Sequence, residues 1–296
     1  MRLWSLAASR TASGFRSPAN RIDEESRTPV AGRPASHLRA SPEARYCRWM
    51  DAAEARAFLP ATNEFLDSVL RLKPRVAAFD CDGTLWSGDV GERFFDWELR
   101  EGNTLSEAFR GGLGRSLRER YASYKRGEVE ESTMCGEMVT MHRGISEERM
   151  MEAATGFFDQ FFVEQIFPEM RELVRRLQGN GCEVWVVSSS NEWVIRAAMK
   201  HFAIPESRIL ASKVELDGGM VTDRLIRVPS GAGKPTALRE VVRKSIDAAF
   251  GNAKWDTEML AMAEHAFAVN PNPDLEAVAR KNGWPIYFPE GIRSQS

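Results

Sequence analysis

The sequence predicts an α/β protein with a Rossmann-like three-layer parallel-sheet core and an inserted α-helical cap domain. Short apolar runs such as Val76–Phe79 and Cys182–Val187 end in polar residues, as buried parallel strands do. Helical patterns follow these runs, and this alternation is typical of a doubly wound sheet. A continuous helical stretch at about 91–162 contains no strand-like run. It therefore predicts an insertion between two strands of the core.

The same patterns predict the domain boundaries. Residues 1–45 are rich in Arg, Ser, Pro and Ala without apolar periodicity, which favours a disordered leader. Helical spacing follows, and Pro60 is expected to break or kink that helix. The predicted units are a leader at 1–45, an N-terminal helix at 46–73, an α/β core at 74–90 and 163–290, and a helical cap at 91–162.

Composition excludes several classes of function. The 296 residues carry 40 Lys and Arg against 42 Asp and Glu, a net charge of −2, which predicts no nucleic-acid and no membrane-surface partner. No apolar run is long enough to span a bilayer. The four cysteines are scattered without metal-type pairing, so we expect reduced thiols and a cytoplasmic location.

Two carboxylates follow the first predicted core strand. Asp80 and Asp82 come directly after the apolar run, and Gly83 follows them with a turn. Unpaired buried carboxylates are costly, so a strand that ends in two acids indicates function. Because the carboxyl ends of parallel strands carry ligand sites in open α/β sheets, the pair predicts a site for a hard cation.

The segment Asp80-Cys81-Asp82-Gly83-Thr84 resembles the first motif of the haloacid dehalogenase-like superfamily, which consists mostly of magnesium-dependent phosphatases. Segments that resemble the second, third and fourth motifs follow in the same order. They contain Ser188, Lys234, and the pair Asn252 and Asp256. The helical cap and the Gly-x-Gly-Lys-Pro run at 231–235 are most similar to the phosphoserine phosphatase-like branch.

The second segment ends a predicted strand with hydroxyl groups. Ser188 and Ser189 precede a predicted helix, so their hydroxyls could donate to a phosphate oxygen near its N-terminus. Serine as a simple helix cap is the alternative interpretation. The resemblance assigns phosphate binding to Ser188.

The third segment superficially suggests a nucleotide P-loop, but it lacks the Ser or Thr that must follow the lysine. Pro235 stands there instead, which excludes that interpretation. As a third superfamily motif, the resemblance implies that Lys234 neutralises the nucleophile and the transferring phosphoryl group. An ordinary solvated surface lysine is the alternative.

The fourth segment departs from the superfamily pattern, because Asn252 replaces the first of two acids and Asp256 supplies the second. Asparagine still offers a carbonyl oxygen to Mg²⁺ but removes one negative charge. The resemblance implies a magnesium site formed by the Asp80 carboxylate, the Asp82 backbone carbonyl, Asn252 and Asp256.

Two further patterns give expectations about elements. Residues 210–225 predict two strands around Asp217-Gly218-Gly219-Met220. The spacing of Val241, Val242, Ile246 and Ala249 predicts an apolar helix face.

The resemblance implies a mechanism and a class of substrate. Asp80 would attack phosphorus to form an aspartyl-phosphate, and Asp82 would protonate the leaving group and then activate water. Branch members bind the amino group of phosphoserine with an acid at the position of Asp89. The expected partner is a small phosphorylated metabolite, with no prediction of oligomeric state.

Three functions remain open at the level of sequence. The first is a phosphomonoesterase, and the second is a phosphotransferase that passes the phosphoryl group to an alcohol. The third, motivated by Asn252, is a binding or regulatory protein whose site has lost activity.

Overall fold

The computed structural model describes residues 57–100, 105–109 and 112–293. The predicted leader at 1–45 lies outside these residues, as does the predicted N-terminal helix before residue 57. The described part of that helix is α1, Pro60–Arg71. Pro60 occupies its first turn, where the missing N–H would have had no helical partner anyway. The proline therefore begins this helix.

A seven-stranded sheet forms the core, in the order β4-β3-β2-β1-β5-β6-β7. The strands are β1 Val76–Phe79, β2 Glu183–Asn191, β3 Ile209–Asp217, β4 Met220–Arg227, β5 Ala248–Gly251, β6 His265–Val269 and β7 Ile286–Tyr287. Neighbouring strands pair in parallel, except for the antiparallel hairpin of β3 and β4. The strand order reverses between β1 and β5, where open α/β sheets bind their ligands.

Helices connect these strands. They are α2 Val90–Glu98, α3 Gly112–Lys125, α4 Glu131–Thr140, α5 Glu147–Phe161, α6 Pro168–Gly179, α7 Glu192–Met199, α8 Gly233–Val241, α9 Thr257–Met262, α10 Pro273–Asn282 and α11 Glu290–Arg293. Short 3₁₀ turns lie at Ser106–Phe109, Val163–Gln165, Lys200–Phe202, Glu206–Arg208 and Lys254–Asp256.

Both faces of the sheet are buried, which confirms the predicted three-layer α/β class. Ala77 and Phe79 of β1 join one apolar core, which also contains residues of α1, α5, α6 and α7. Val76 and Ala78 join a second core with residues of α8, α9 and α10. This division follows from the two-residue alternation of a strand. On the first face Phe250 stacks against Phe79 at 4.2 Å and against Phe267 at 4.9 Å between ring centroids, across three neighbouring strands.

The segment predicted to be the cap contains α2 to α5, inserted after β1. Backbone hydrogen bonds join it to the hairpin of β3 and β4. Gly144 N–H donates to the Val221 carbonyl at 2.8 Å, and Val221 N–H donates to the Ile145 carbonyl at 2.9 Å. Glu147 N–H donates to the Gly219 carbonyl at 2.9 Å. The hairpin thus holds the end of α4 and the start of α5 beside the sheet.

One expectation about the elements is wrong. The apolar spacing at 241–249 does not mark a helix face, because α8 ends at Val241 and β5 occupies Ala248–Gly251. A short apolar run fits either a helix or a strand, and burial between β1 and β6 selects the strand here. Across the described ranges, no helix is both long and apolar enough to cross a bilayer.

Candidate active site

The candidate site lies where β1, β2 and β5 end. Asp80 follows β1 directly, Ser188 lies near the end of β2, and Asn252 follows β5. Because these three strands are adjacent and parallel, their carboxyl ends meet at one edge of the sheet. Segments far apart in sequence therefore meet around Asp80.

Asp80 is buried, and both of its carboxylate oxygens accept hydrogen bonds. Lys234 Nζ donates to Oδ1 at 2.7 Å, and Thr84 Oγ1 donates to Oδ2 at 2.9 Å. Burial and the negative charge of Asp256 raise the pKa of Asp80 to about 7, although the positive charge of Lys234 opposes this rise. The contacts fix the carboxylate in one orientation.

Lys234 is the only cation in direct contact with the acids of this site among the described residues. Its side chain is 3% exposed, and Nζ donates to Asp80 Oδ1, to Asp256 Oδ1 at 2.5 Å and to the Val187 carbonyl at 3.1 Å. Burial alone would lower the pKa of Lys234, but the charges of Asp256 and Asp80 raise it above its usual value. Lys234 is therefore a fixed positive charge shared by two carboxylates.

Asp82 is held by three donors. Trp86 Nε1 and Val90 N–H donate to Oδ1 at 2.8 and 2.6 Å, and Ser190 Oγ donates to Oδ2 at 2.7 Å. Burial raises the pKa of Asp82, while these hydrogen bonds favour the charged form and partly offset the increase. The second acid of the first motif is thus oriented separately from Asp80.

The serines after Val187 have different surroundings. Ser188 is 1% exposed, and its Oγ accepts a hydrogen bond from Ser190 N–H at 3.1 Å. Ser189 is partly exposed, and its carbonyl accepts a hydrogen bond from Ser212 Oγ at 2.6 Å. Asn191 caps α7 by accepting a hydrogen bond from Val194 N–H, so none of the three serines is the cap.

The two polar residues of the fourth segment, Asn252 and Asp256, differ in how far their side chains are already engaged by other groups. Asp256 is 1% exposed; Oδ1 contacts Lys234, and Oδ2 accepts hydrogen bonds from the backbone N–H groups of Asn252 and Ala253, both at 2.9 Å. Asn252 is partly exposed, and its amide lies against the turn at Gly83. Asp256 consequently positions Lys234 and the loop, whereas Asn252 offers its side chain toward the first motif.

Asp89 is exposed to solvent and directly precedes α2. Its Oδ1 accepts a hydrogen bond from Glu92 N–H at 2.8 Å, so it is the N-cap of that helix. Surrounding protein atoms and the charges of Asp82 and Glu92 raise the pKa of Asp89, but its exposure leaves water free to solvate the carboxylate. The structure gives Asp89 a capping role, and the spacing of Asp89 and Glu92 is typical of a helix N-terminus.

Two site residues were missed at the level of sequence. Ser190 binds Asp82, and strand alternation could have indicated it, since Ser188 and Ser190 lie on the same side of β2. Glu131 in the first turn of α4 is 7% exposed, and the charges of Lys234 and Asp256 both act on it. No local pattern in the sequence distinguished Glu131 from the other acids of the helical segment.

The donor chemistry fits a hard divalent cation. Asp80 offers a carboxylate, Asp82 a backbone carbonyl and Asn252 an amide oxygen, and oxygen donors of this kind suit Mg²⁺. No group of three or more His, Cys, Asp or Glu side chains in the described ranges is arranged as a complete metal site. Asp256 accepts three hydrogen bonds and Asp80 accepts two, so Asp80 retains more lone pairs for a cation.

A family model described as haloacid dehalogenase-like hydrolase matches residues 77–261. This match covers more than half of the chain, so the protein belongs to that family, as the motifs predicted, and is an enzyme of the hydrolase class.

The comparisons also give individual relatives. The chain is 26% identical over 228 residues to a histidinol-phosphatase of Neisseria meningitidis, covering 71% of this chain and 97% of the relative. It is 25% identical over 135 residues to phosphoserine phosphatase SerB1 of Mycobacterium tuberculosis, covering 44% of this chain and 43% of that relative. The chain therefore spans less than half the length of SerB1.

Solved structures show the same fold. A protein of unknown function from Bordetella pertussis Tohama I superposes with a TM-score of 0.61 at 20% identity, covering 72% of this chain and 97% of the other. A probable phosphoserine phosphatase from Vibrio cholerae gives a TM-score of 0.50 at 17% identity, with coverage of 75% and 68%.

Proposed function

We propose that this haloacid dehalogenase-like hydrolase is a magnesium-dependent phosphomonoesterase that acts on a small phosphorylated metabolite through an aspartyl-phosphate intermediate. The observation that carries the proposal is the contact of Lys234 Nζ with both Asp80 and Asp256. In this contact the buried carboxylate that we propose as the nucleophile lies against a fixed positive charge. Relatives named for phosphatase activity support the same reaction class.

Asp80 is the proposed nucleophile. A phosphate ester is anionic and repels a carboxylate, so attack requires positive charge near the nucleophile and the phosphoryl oxygens. Lys234 supplies such a charge, and Thr84 with Lys234 orients the attacking group. Attack forms a bond from an Asp80 oxygen to phosphorus and breaks the bond to the leaving alcohol oxygen.

Asp82 is the proposed general acid and base. Burial raises its pKa, which favours the protonated form needed to donate to the leaving alkoxide. After the alcohol leaves, the Asp82 carboxylate can accept a proton from the water that hydrolyses the aspartyl-phosphate. Trp86, Val90 and Ser190 hold the group in place for both steps.

Asp80, the Asp82 carbonyl and Asn252 would hold Mg²⁺, which when bound supplies positive charge to the phosphoryl oxygens. The remaining predicted ligand, Asp256, acts in this proposal mainly by orienting Lys234 and the loop. Ser188 and Ser189 are the proposed phosphate donors, and Asp89 is proposed to face the substrate alcohol. We also propose a cytoplasmic location, which rests on the scattered cysteines of the sequence.

Hydrolysis of p-nitrophenyl phosphate with Mg²⁺ tests the proposal. We expect Asp80→Asn to lower the rate by about 10³-fold or more, because it removes the nucleophile. Acid-quenched protein should retain labelled phosphate in the wild type and not in Asp80→Asn. Asp67→Asn, a change of the same kind on the exposed side of α1, is the control and should retain the wild-type rate. An equal rate in Asp80→Asn would refute the proposal.

The two alternatives give different outcomes. A phosphotransferase would form alkyl phosphate in place of inorganic phosphate when glycerol is added. A binding protein with an inactive site would show no magnesium-dependent turnover of any phosphate ester. Asn252 is the specific observation that keeps the latter open, since it removes a charge from the metal-binding segment.

A further inference from the structure

We infer that the buried pair of Glu98 and His142 positions the proposed general acid, Asp82. The pair joins the end of α2 to the chain just after α4, and it lies against Trp193 of α7. This inference rests on the proposed phosphomonoesterase function and gives the helical segment a part in it. Glu98 and His142 would be positioning residues, which hold Asp82 where it can protonate the leaving group.

Glu98 and His142 form a short contact inside the protein. His142 Nε2 lies 2.6 Å from Glu98 Oε1, and the two side chains are 0% and 1% exposed. The other ring nitrogen, Nδ1, lies 3.1 Å from the Val139 carbonyl, which can only accept, so Nδ1 carries a hydrogen. A second hydrogen must lie between Nε2 and Oε1, because two lone pairs would repel at that distance. The ring is therefore held at both nitrogens and cannot turn without breaking a buried hydrogen bond.

Glu98 fixes one end of a helix whose other end binds Asp82. The helix α2 begins at Val90, and Val90 N–H donates to Asp82 Oδ1 at 2.6 Å. The first turn of α2 also packs closely on β2, since a Cβ on Gly91 would lie 2.3 Å from Ser190 Oγ. A helix of nine residues is a stiff rod about 13 Å long. A shift at Glu98 therefore also moves the N–H group that binds Asp82.

His142 contacts the element that supplies a donor to the other oxygen of Asp82. Its ring meets the Trp193 indole edge to face, with 5.2 Å between ring centroids and an interplanar angle of 76°. Trp193 is fully buried in the first turn of α7, three residues after Ser190, whose Oγ donates to Asp82 Oδ2 at 2.7 Å. Each oxygen of Asp82 thus accepts from a segment that is in turn held by the pair of Glu98 and His142.

Stabilisation of the helical segment is the simpler explanation for the pair. Burial raises the pKa of Glu98, so an acid at this position has a cost that an apolar side chain would not have. Apolar side chains of similar volume could hold the helices together, but a ring that is hydrogen-bonded at both nitrogens also fixes their relative orientation. General acid catalysis requires such precision, because the acid must lie within hydrogen-bond reach of the oxygen that it protonates. The geometry around Asp82 therefore favours positioning.

Two aryl esters of similar shape test the inference. Phenyl phosphate releases a more basic oxygen than p-nitrophenyl phosphate, so its cleavage depends more on the general acid. The ratio kcat/KM reports formation of the aspartyl-phosphate. We expect Glu98→Ala to lower kcat/KM for phenyl phosphate by about thirtyfold, because a small displacement of Asp82 weakens proton transfer. The value for p-nitrophenyl phosphate should stay within about threefold, since Asp80 and Lys234 still act on phosphorus.

Two variants separate loss of the contact from a failure to fold. In Glu98→Gln the side-chain amide can donate to His142 Nε2, so both kcat/KM values should stay within about threefold of the wild type. The double variant Glu98→Leu with His142→Leu removes both partners, so neither is left buried and unpaired. It should unfold cooperatively in urea and still show the selective loss on phenyl phosphate.

A second contact between a histidine and a carboxylate provides the control. His201 Nε2 lies 3.0 Å from Asp159 Oδ1, and Asp159 is exposed at the end of α5. Asp159→Ala breaks this contact and should leave both kcat/KM values within about threefold of the wild type.

The outcomes separate the two proposals. Equal losses on the two esters in Glu98→Ala and in the folded double variant would overturn the positioning role. A selective loss on phenyl phosphate in Glu98→Gln would overturn it as well, since that variant keeps the contact. Failure of the wild type to hydrolyse either ester would instead overturn the phosphomonoesterase function.

Discussion

The side chain of Asn252 packs directly on the backbone of Gly83. A Cβ atom placed on Gly83 would lie 1.8 Å from Asn252 Nδ2, so the glycine leaves the space that the amide occupies. Gly83 also has a left-handed φ of +74°, which suits glycine. The turn after the two acids and the loop after β5 are therefore fitted to each other at the candidate metal site.

Substitution of Gly83 tests this fit. Gly83→Ala should reduce magnesium-dependent phosphatase activity by about tenfold or more, because displaced turn or amide atoms would misplace Asp82 and Asn252. Gly88→Ala is the matched control: Gly88 has a similar φ of +85° and nothing within 4 Å of its Cβ position. Gly88→Ala should lower the free energy of unfolding only by the strain of a left-handed backbone, about 1–2 kcal/mol.

The comparison of these variants is made by activity and by urea unfolding. Equal losses in Gly83→Ala and Gly88→Ala would show that backbone conformation alone accounts for the effect. Addition of Asn252→Ala to Gly83→Ala should restore the part of the stability that the clash removes, while the strain of the left-handed backbone remains.

Restoration of the missing acid is a second test. Asn252→Asp adds a carboxylate beside the turn at Gly83, and hard cations bind carboxylates more strongly than amides. We expect the Mg²⁺ concentration for half-maximal activity to fall by about tenfold, measured by metal titration with p-nitrophenyl phosphate. Asn282→Asp, at the end of α10, adds the same charge at an exposed position and should leave the titration unchanged. An unchanged or higher Mg²⁺ concentration for half-maximal activity in Asn252→Asp would argue against a metal ligand at this position.

Removal of the buried lysine is a third test. Lys234→Met leaves the carboxylates of Asp80 and Asp256 buried without their cation, so we expect a loss of about 3–5 kcal/mol in the free energy of unfolding. Lys244→Met breaks an exposed ion pair with Glu183 and should cost less than about 1 kcal/mol.

A double variant checks the cause. Asp256→Asn in the Lys234→Met background should recover part of the lost stability, because it removes one of the two uncompensated charges. If Lys234→Met unfolds at the same urea concentration as the wild type, Lys234 does not stabilise the fold by compensating these two buried charges.

Asp247 gives a pH-dependent prediction for the fold. Its Oδ2 accepts hydrogen bonds from the N–H groups of Arg75 and Val76 at 2.6 and 3.0 Å and so joins the starts of β1 and β5. Burial alone would raise the pKa of Asp247, but these backbone donors and the charge of Arg75 hold it below its usual value. The stabilisation by Asp247 is therefore present above the unfolded pKa of about 3.9 and is lost as pH falls through the lower folded value.

Asp247→Ala should accordingly cost about 1–3 kcal/mol at pH 7, where two N–H groups lose their acceptor. The difference from wild type should shrink below about pH 4, as measured by urea unfolding across the acid range. Asp223→Ala, on the exposed hairpin of β3 and β4, is the control and should change the free energy of unfolding by less than about 1 kcal/mol. A difference that grows as pH falls would contradict the sign of this argument.

The sequence by itself determined the class of fold and the family. Apolar runs that end in polar residues indicate buried parallel strands, and the alternation of side chains along a strand divides its residues between two cores. Both signals depend only on local spacing, so they can be recognised in the sequence. The order of the four motifs likewise identified the family, and it pointed to Asp80 and Lys234, which the fold brings into contact. Periodicity failed only at 241–249, where a short apolar run is compatible with both kinds of element.

Tertiary structure decided which neighbours each of these residues has. Lys234 and Asp80 lie 154 positions apart, so no local pattern could show that Lys234 binds both Asp80 and Asp256. The same holds for the contact of Ser190 with Asp82 and for the burial of Glu131. Hydrogen bonds and burial at the site depend on how separate segments pack around the end of β1, and that packing is a property of the whole fold.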